Sequence, residues 1–245
     1  MEKELYEVNL GNIVCRRAKA TDNIDEIVEL IYQTDPYLYP YWFENDIERA
    51  KEFLREKILT KGFIFNYENL YIAYDKVKNK IVGLIVAIDP TVDLNYDYTK
   101  YINENERNKY IIERYIYDCI HEAKIADGMY IMNCAVLEEY RGQGIGKKLL
   151  GHFIGNMEKA GFNSFKLDCL LHNLRAKNLY HSLGFKEMEE TQGFTWEMPV
   201  ELVVFVRHKG EYLQEEFQKQ ENYKGVDENT NEYVEEYIES MGRNR

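Results

Sequence analysis

The chain has 245 residues, of which 45% are hydrophobic and 30% are charged, and its formal net charge is −12. This length suits one large domain or one domain with appendages, and the acidic charge argues against nucleic acid as a partner, because a phosphate backbone attracts a basic surface. No stretch approaches the ~20 apolar residues of a membrane span, and the first residues lack a signal-peptide run, so no membrane association is expected.

The first part of the chain begins with a strand and a helix. Residues 12–18 are predicted to form the strand. The helix is predicted because apolar residues at helical spacing follow the N-cap candidates Thr21 and Asp22. This helix should end before Asp35-Pro36, because the residue before a proline avoids the helical region. The proline-punctuated aromatic segment 36–43 predicts a loop.

A second helix and a pair of strands come next. Asn45 or Asp46 can cap the helix, and Gly62 is expected to end it. Residues 69–74 and 80–88 predict paired strands around a polar connection.

Residues 92–127 look like an insertion that holds one amphipathic helix near 106–124. An apolar strand is expected at 129–136. A glycine-punctuated turn follows it, and the next helix should run to about Lys159.

The last predicted elements are a strand at 164–170, a short helix at 173–183 and two strands at 185–190 and 194–207. The order strand, turn, helix, strand, helix, strand indicates an α/β or α+β fold with one parallel pair. The acidic tail 208–245 is interpreted as either a docked helix or a partly disordered extension.

The glycine-punctuated turn, RGQGIGKK, predicts a phosphate site. Alternate glycines expose successive N–H groups, the following helix adds the positive end of its dipole, and basic side chains add charge. A P-loop requires Ser or Thr after its lysine, but Lys147 is followed by Lys148. A dinucleotide fingerprint requires GxGxxG rather than the GxGxG found here. Both of these interpretations are therefore weak.

The same turn resembles the acetyl-CoA motif of the GNAT N-acetyltransferase superfamily, Arg/Gln-x-x-Gly-x-Gly/Ala, through Arg141, Gly144 and Gly146. The segment 173–185 matches a second family pattern, Asn-x-x-Ala-x-x-Leu-Tyr-x-x-x-Gly-Phe. Two motifs at the family's usual separation carry far more weight than either one. The resemblance implies a mixed, mostly antiparallel sheet, splayed between its fourth and fifth strands, with helices on both faces. We expect this domain to span 1–207, with the insertion inside it and the extension 208–245 after it.

The resemblance also implies which residues bind acetyl-CoA, the expected co-substrate. The turn would hold the pyrophosphate, and the strand ending at Val136 would carry the pantetheine arm. A backbone N–H near residues 134–136 would polarise the thioester carbonyl. The expected cofactor-binding residues are Val136, Leu137, Arg141, Gly142, Gln143, Gly144, Ile145, Gly146, Lys147, Asn173, Asn178 and Tyr180.

Two residues are expected to move protons. In the family the tyrosine matching Tyr180 faces the sulfur, so it would act as the general acid for the leaving thiolate. In members that acetylate protein N-termini, a glutamate lies five residues before the motif asparagine, and Asp168 occupies that position. The side chain of Asp168 is shorter than that of the family glutamate. Two alternatives therefore stay open: Asp168 acts through a bridging water, or its role is purely structural. Asp89, Asn133 and Glu138 are other candidates for the general base.

The acceptor is expected to be a primary amine on a small molecule, polyamine or peptide. Tyr37, Tyr39, Trp42 and Asn133 are the candidate acceptor residues, although the aromatic rings equally suit a core edge. A non-catalytic acyl-CoA-binding or partner-binding module is the alternative function. The four cysteines are widely spaced without a CxxC pair, so we expect no metal and a cytoplasmic location. The protein is expected to be a monomer or a homodimer.

Overall fold

The structure is a computed structural model that describes residues 8–35, 38–90, 128–188 and 202–209. The expected insertion helix and nearly all of the acidic tail lie outside these ranges. The strands are β1 (Val8–Leu10), β2 (Ile13–Arg17), β3 (Leu70–Asp75), β4 (Lys80–Ile88), β5 (Gly128–Val136), β6 (Ser164–Leu170), β7 (Lys186–Glu187) and β8 (Leu202–His208). We number the described helices α1 (Ile24–Tyr32), α2 (Leu38–Trp42), α3 (Ile47–Leu59), α4 (Ile145–Ala160) and α5 (Leu174–His181).

The described strands form one sheet in the order β1-β2-β3-β4-β5-β6-β8-β7. Every neighbouring pair is antiparallel except β5 and β6, which are parallel and joined through α4. The predicted mixed sheet with one parallel pair is confirmed. No helix in the described ranges is long and apolar enough to cross a membrane.

Helices cover both faces of the sheet, as the family resemblance implied. One core packs α1, α2 and α3 against the sheet, and the other packs α4 and α5 against the opposite face. We call these the α1 face and the α4 face. Along β4 nearly every residue is buried, because helices cover both sides of this central strand.

Two local expectations in the first part of the chain are wrong. Asn23, rather than Thr21 or Asp22, caps α1, because its side chain accepts hydrogen bonds from the N–H groups of Asp25 and Glu26. Asp22 forms an ion pair with Arg16 at 2.6 Å instead.

The aromatic segment expected to be a loop contains helix α2. The Oδ1 atom of Asp35 accepts a hydrogen bond from the N–H of Leu38 at 2.8 Å, which stabilises the start of this turn of helix. Tyr39 and Trp42 are 0% and 1% exposed and belong to the core of the α1 face. Their rings meet edge to face, and Trp42 also packs against Phe53.

The parallel pair opens partway along its length. Pairing of β5 with β6 begins at Gly128–Ser164 and ends at Ile131–Leu167, whereas both strands continue, to Val136 and Leu170. A β-bulge in β5 lies at this point, since the register with β4 shifts between Val86 and Ala87. We call the gap between the diverging ends the seam. The seam confirms the expected splay, because the ladder of hydrogen bonds between these two strands stops while β4 and β8 stay paired to them.

Candidate functional site

The glycine turn lies between β5 and α4 and forms one wall of the site. A single 3₁₀ turn at Glu138–Tyr140 leads into it, and Gly142 and Gly144 have φ values of 77° and 75°. These left-handed conformations strain any residue with a Cβ, so glycine is needed at both positions. Gly144 is the N-cap of α4, which leaves the first N–H groups of the helix directed at the turn.

A cleft of about 690 Å³ runs from this turn to the seam. A cleft of this size is suited to a cofactor-sized molecule. Of the residues expected to bind acetyl-CoA, nine line it: Val136, Arg141, Gly142, Gly144, Ile145, Gly146, Lys147, Asn173 and Tyr180. Leu137, Gln143 and Asn178 do not line it.

The backbone of β5 directs hydrogen-bonding groups into the seam. The N–H of Leu137 donates to the C=O of Val82 at 2.9 Å, so Leu137 faces β4. Because an antiparallel ladder alternates, Cys134 and Val136 present their N–H groups to the seam instead. The C=O of Val136 accepts a hydrogen bond from Nε of Arg141 at 2.9 Å, which fixes that side chain beside the turn.

Tyr180 lies on the α4 face, where α5 holds it at the wall of the cleft. Its ring is 7% exposed and packs edge to face against Phe205. Burial raises the pKa of Tyr180 well above its usual value, and negative charge at Cys134, Cys169 or Asp168 would raise it further. The phenol therefore remains protonated at neutral pH.

Asp168 lies on the other side of the seam. Phe165, Leu167 and Cys169 of β6 pack into the α4 face, so the alternation along the strand directs Asp168 to the α1 face. Its Oδ1 atom accepts a hydrogen bond from the phenol of Tyr130 at 2.6 Å. Burial is the main cause that raises the pKa of Asp168, and the nearby charge of Asp35 also raises it.

The two cysteines beside the seam are poor nucleophiles. Burial raises the pKa of both Cys134 and Cys169 to about 12, so each thiol is protonated at neutral pH. In the described part of the chain no group of three or more His, Cys, Asp or Glu residues could hold a metal ion.

Asn173 and Asn133 are both fixed by hydrogen bonds. The side chain of Asn173 caps α5 by accepting from the N–H of Ala176 at 3.1 Å, so its position at the cleft is set by the helix. Nδ2 of Asn133 donates to Oγ1 of Thr34 at 2.7 Å, which ties β5 to the end of α1.

Those residues expected to bind the acceptor that the structure describes, Tyr39, Trp42 and Asn133, do not line the cleft. Tyr37 lies outside the described residues, and Tyr39 and Trp42 are core residues that do not line the cleft. Gln33 and Thr34, which line the cleft beyond the seam, were not identified from the sequence. Polar residues at the end of a helix carry no distinctive sequence signal, so only the packing of α1 beside β5 reveals them.

The glycine turn, the cleft and the seam together define the architecture of an acyl-CoA-dependent acyltransferase. The model of the acetyltransferase (GNAT) family matches residues 29–185. The chain is similar to an N-alpha-acetyltransferase of Saccharolobus solfataricus, with 27% identity over 78% of this chain and 91% of that protein. It is also similar to the ribosomal protein bS18 alanine N-acetyltransferase of Escherichia coli, with 40% identity over 26% of this chain and 43% of the relative.

A crystal structure of an N-acetyltransferase from Staphylococcus aureus Mu50 has the same fold, with a TM-score of 0.60 at 20% identity over 79% of this chain and 99% of that one. The matches to several curated relatives span only 24% to 46% of those proteins' own lengths. The chain belongs to the GNAT family of acetyltransferases, since the family model matches more than half of it.

Proposed function

We propose that the chain transfers an acetyl group from acetyl-CoA to a primary amine by direct attack in a ternary complex, and that this amine is the α-amine of a peptide or protein. The observation that carries the proposal is the seam, which places Tyr180 on one side of an opening in the sheet and Asp168 on the other. The archaeal relative, named an N-alpha-acetyltransferase, and the bacterial relative, named for a ribosomal protein alanine, support an α-amine acceptor.

The glycine turn would bind the pyrophosphate of acetyl-CoA. The N–H groups around Gly142 and Gly144 and the first turn of α4 can donate to its oxygens, while Arg141 and Lys147 at the cleft wall neutralise charge. The left-handed glycines fit this group, because they keep the backbone free of Cβ atoms where the phosphates would approach. Acetyl-CoA supplies the activated acyl group when it is bound.

The N–H groups of Cys134 and Val136 would stabilise negative charge on a thioester carbonyl at the seam. An amine entering from the α1 face would attack the carbonyl carbon, and its nitrogen would pass a proton to the carboxylate of Asp168, directly or through a water. As the carbon–sulfur bond breaks, Tyr180 would give its phenolic proton to the sulfur. The protonated thiols of Cys134 and Cys169 argue against a covalent acyl-cysteine step.

The test is to mix the full chain with acetyl-CoA and a panel of free peptides, polyamines and small amines, and to measure thiol release and acetylated product by mass spectrometry. We expect turnover with peptides that carry a free α-amine and none when that amine is blocked. Turnover confined to polyamines or other small amines would overturn the peptide acceptor. Tight binding of acetyl-CoA without turnover on any amine would favour the non-catalytic binding module.

The cytoplasmic location and the monomeric or homodimeric state remain predictions. Fractionation of cells that express the tagged chain would test the location, and sedimentation of the purified protein at several concentrations would test the oligomeric state.

A further inference from the structure

The seam on the α1 face contains two buried polar atoms of complementary type. Nε2 of Gln33, a donor, and Oδ1 of Asn133, an acceptor, are shielded from solvent, and neither has a hydrogen-bond partner within the described ranges. Buried polar atoms are almost always paired in native proteins, because leaving one unpaired costs free energy. An unpaired donor and an unpaired acceptor at one place therefore indicate a group that brings both partners.

Gln33 lines the inner end of the cleft, and Asn133 lies behind it, bonded to the neighbouring cleft residue Thr34. Gln33 is the C-cap of α1, with its N–H donating to the C=O of Glu29 at 3.1 Å, and it lines the cleft together with Thr34. The carboxamide of Asn133 is oriented by the 2.7 Å hydrogen bond from its Nδ2 to Thr34, which leaves Oδ1 as the atom still available. Thr34 directly follows Gln33 in the chain, so its bond to Asn133 brings Asn133 to the end of α1, next to the seam.

The charge around this site suits an amine. Asp168 on β6 lies close enough to Asp35 for their charges to interact, and Asp35 directly follows Gln33 and Thr34. Two carboxylates therefore give the α1 side of the seam a negative charge, which attracts a protonated amine. A simple alkylamine can use the carboxylates and the acceptor oxygen, but it has no oxygen to accept from Gln33.

We propose that Gln33 and Asn133 bind the first residue of the acceptor, with Asn133 accepting an N–H of the attacking amine and Gln33 donating to the carbonyl oxygen of the same residue. These are positioning residues that select an α-amino acyl group over a plain amine. This inference rests on the proposed function for the reacting amine, but the binding of the acceptor can be measured without turnover.

The test compares two kinds of acceptor on four proteins. One kind is a panel of tetrapeptide amides that begin with a free alanine. The other is isopropylamine, which has the same amine-bearing carbon and methyl group without the carbonyl. The proteins are the unaltered chain, Gln33→Met, which keeps the side-chain length and removes the donor, Asn133→Leu, which removes the acceptor, and Lys61→Met, an exposed control. Calorimetric binding to the CoA-loaded protein and steady-state kinetics are measured for each.

Gln33→Met is expected to weaken peptide binding and raise the peptide KM about tenfold, the effect of losing one hydrogen bond, with little change in kcat. The KM for acetyl-CoA, the thermal midpoint and the kinetics with isopropylamine should stay unchanged, and Lys61→Met should match the unaltered chain. Asn133→Leu should weaken the binding of both kinds of acceptor, because each presents an amine N–H to Asn133.

Equal losses for the peptide and isopropylamine in Gln33→Met would overturn the proposal, as would no loss for either or a failure of every peptide to bind. Peptide binding that depends on Gln33 but leads to no acetylation would instead reject the proposed function and leave the recognition site standing.

Discussion

Tyr130 and Asp168 are joined by a 2.6 Å hydrogen bond from the phenol to Oδ1, just where the parallel strands β5 and β6 separate. Tyr130 belongs to the core of the α1 face, so a rigid strand fixes the carboxylate beside the seam. Asp168 is thereby kept partly buried in an apolar region, where the protonated form is favoured. A substitution of Asp168 should therefore affect the stability of the protein and its activity in different ways.

Asp168→Asn should lower kcat by about 10²-fold or more, the usual scale for a general base, without lowering the thermal midpoint at pH 7. The pKa of Asp168 is raised in the folded state above its value of 3.8, so the ionised carboxylate opposes folding at neutral pH. As the pH falls through that raised pKa, the unaltered protein should gain stability relative to Asp168→Asn. Thermal unfolding and kinetics from pH 4 to pH 8 measure both effects.

The control for this variant is Asp46→Asn. Asp46 is an exposed N-cap of α3, and asparagine caps a helix as well as aspartate. We expect no change in activity with this variant. If Asp168→Asn keeps full activity across the pH range, Asp168 is not the base.

Tyr180→Phe should reduce kcat by about 10²-fold or more because the leaving thiolate loses its proton donor. The affinity for acetyl-CoA should change little, since the ring still packs against Phe185 and Phe205. Stopped-flow turnover and calorimetric binding of CoA measure the two effects separately. Tyr74→Phe removes a hydroxyl that contacts Asn79 far from the cleft and should leave both unchanged. Equal loss of binding and turnover in Tyr180→Phe would contradict an acid role.

Gly144→Ala should weaken acetyl-CoA binding and destabilise the fold by about 1–2 kcal/mol. The reason is conformational, because a Cβ at this position meets nothing within 4 Å but the φ of 75° is unfavourable for alanine. Gly155→Ala in the same helix is the matched control. Its Cβ also meets nothing within 4 Å and its φ is not positive, so it should stabilise the protein by about 0.5–1 kcal/mol. Chemical denaturation and calorimetry compare the pair, and tight CoA binding by Gly144→Ala would argue against the turn as the pyrophosphate site.

Trp42→Ala should destabilise the fold by about 3–5 kcal/mol, as expected for removing a large buried aromatic side chain. Trp42 is 1% exposed and contacts Tyr39, Phe43 and Phe53. The milder Trp42→Phe variant should stay folded and keep its KM for the acceptor, because this ring does not line the cleft. Denaturant unfolding measures the first effect and steady-state kinetics the second. A large rise in the KM for the acceptor in Trp42→Phe would instead show that Trp42 contributes to acceptor binding.

Local patterns were enough to predict most of the elements and the cofactor side of the site. Strand and helix periodicity identified β2 to β6 and helices α1, α3, α4 and α5 to within a few residues. The glycine turn could be recognised because its function depends on backbone conformation, which glycine spacing records directly. Tyr180 was found through a motif that keeps it four residues before Gly184.

The acceptor side could not be predicted in the same way. Segment 36–43 is rich in proline and aromatic rings, which is consistent with either an exposed loop or a buried turn of helix. Tyr39 and Trp42 became core residues because α1 and α3 enclose them, a contact between distant parts of the chain. Gln33 and Thr34 reach the cleft only because α1 ends beside the bulged part of β5.

The sequence by itself therefore determined the family, the alternation of elements and the conformation of the phosphate turn, because each is encoded by residues close together in the chain. The tertiary structure decided which side chains meet at the seam. Tyr130 and Asp168 are 38 residues apart and Asn133 and Thr34 are 99 apart, and their contacts depend on strand register and helix placement. Register follows from burial across the whole sheet, which no local pattern contains.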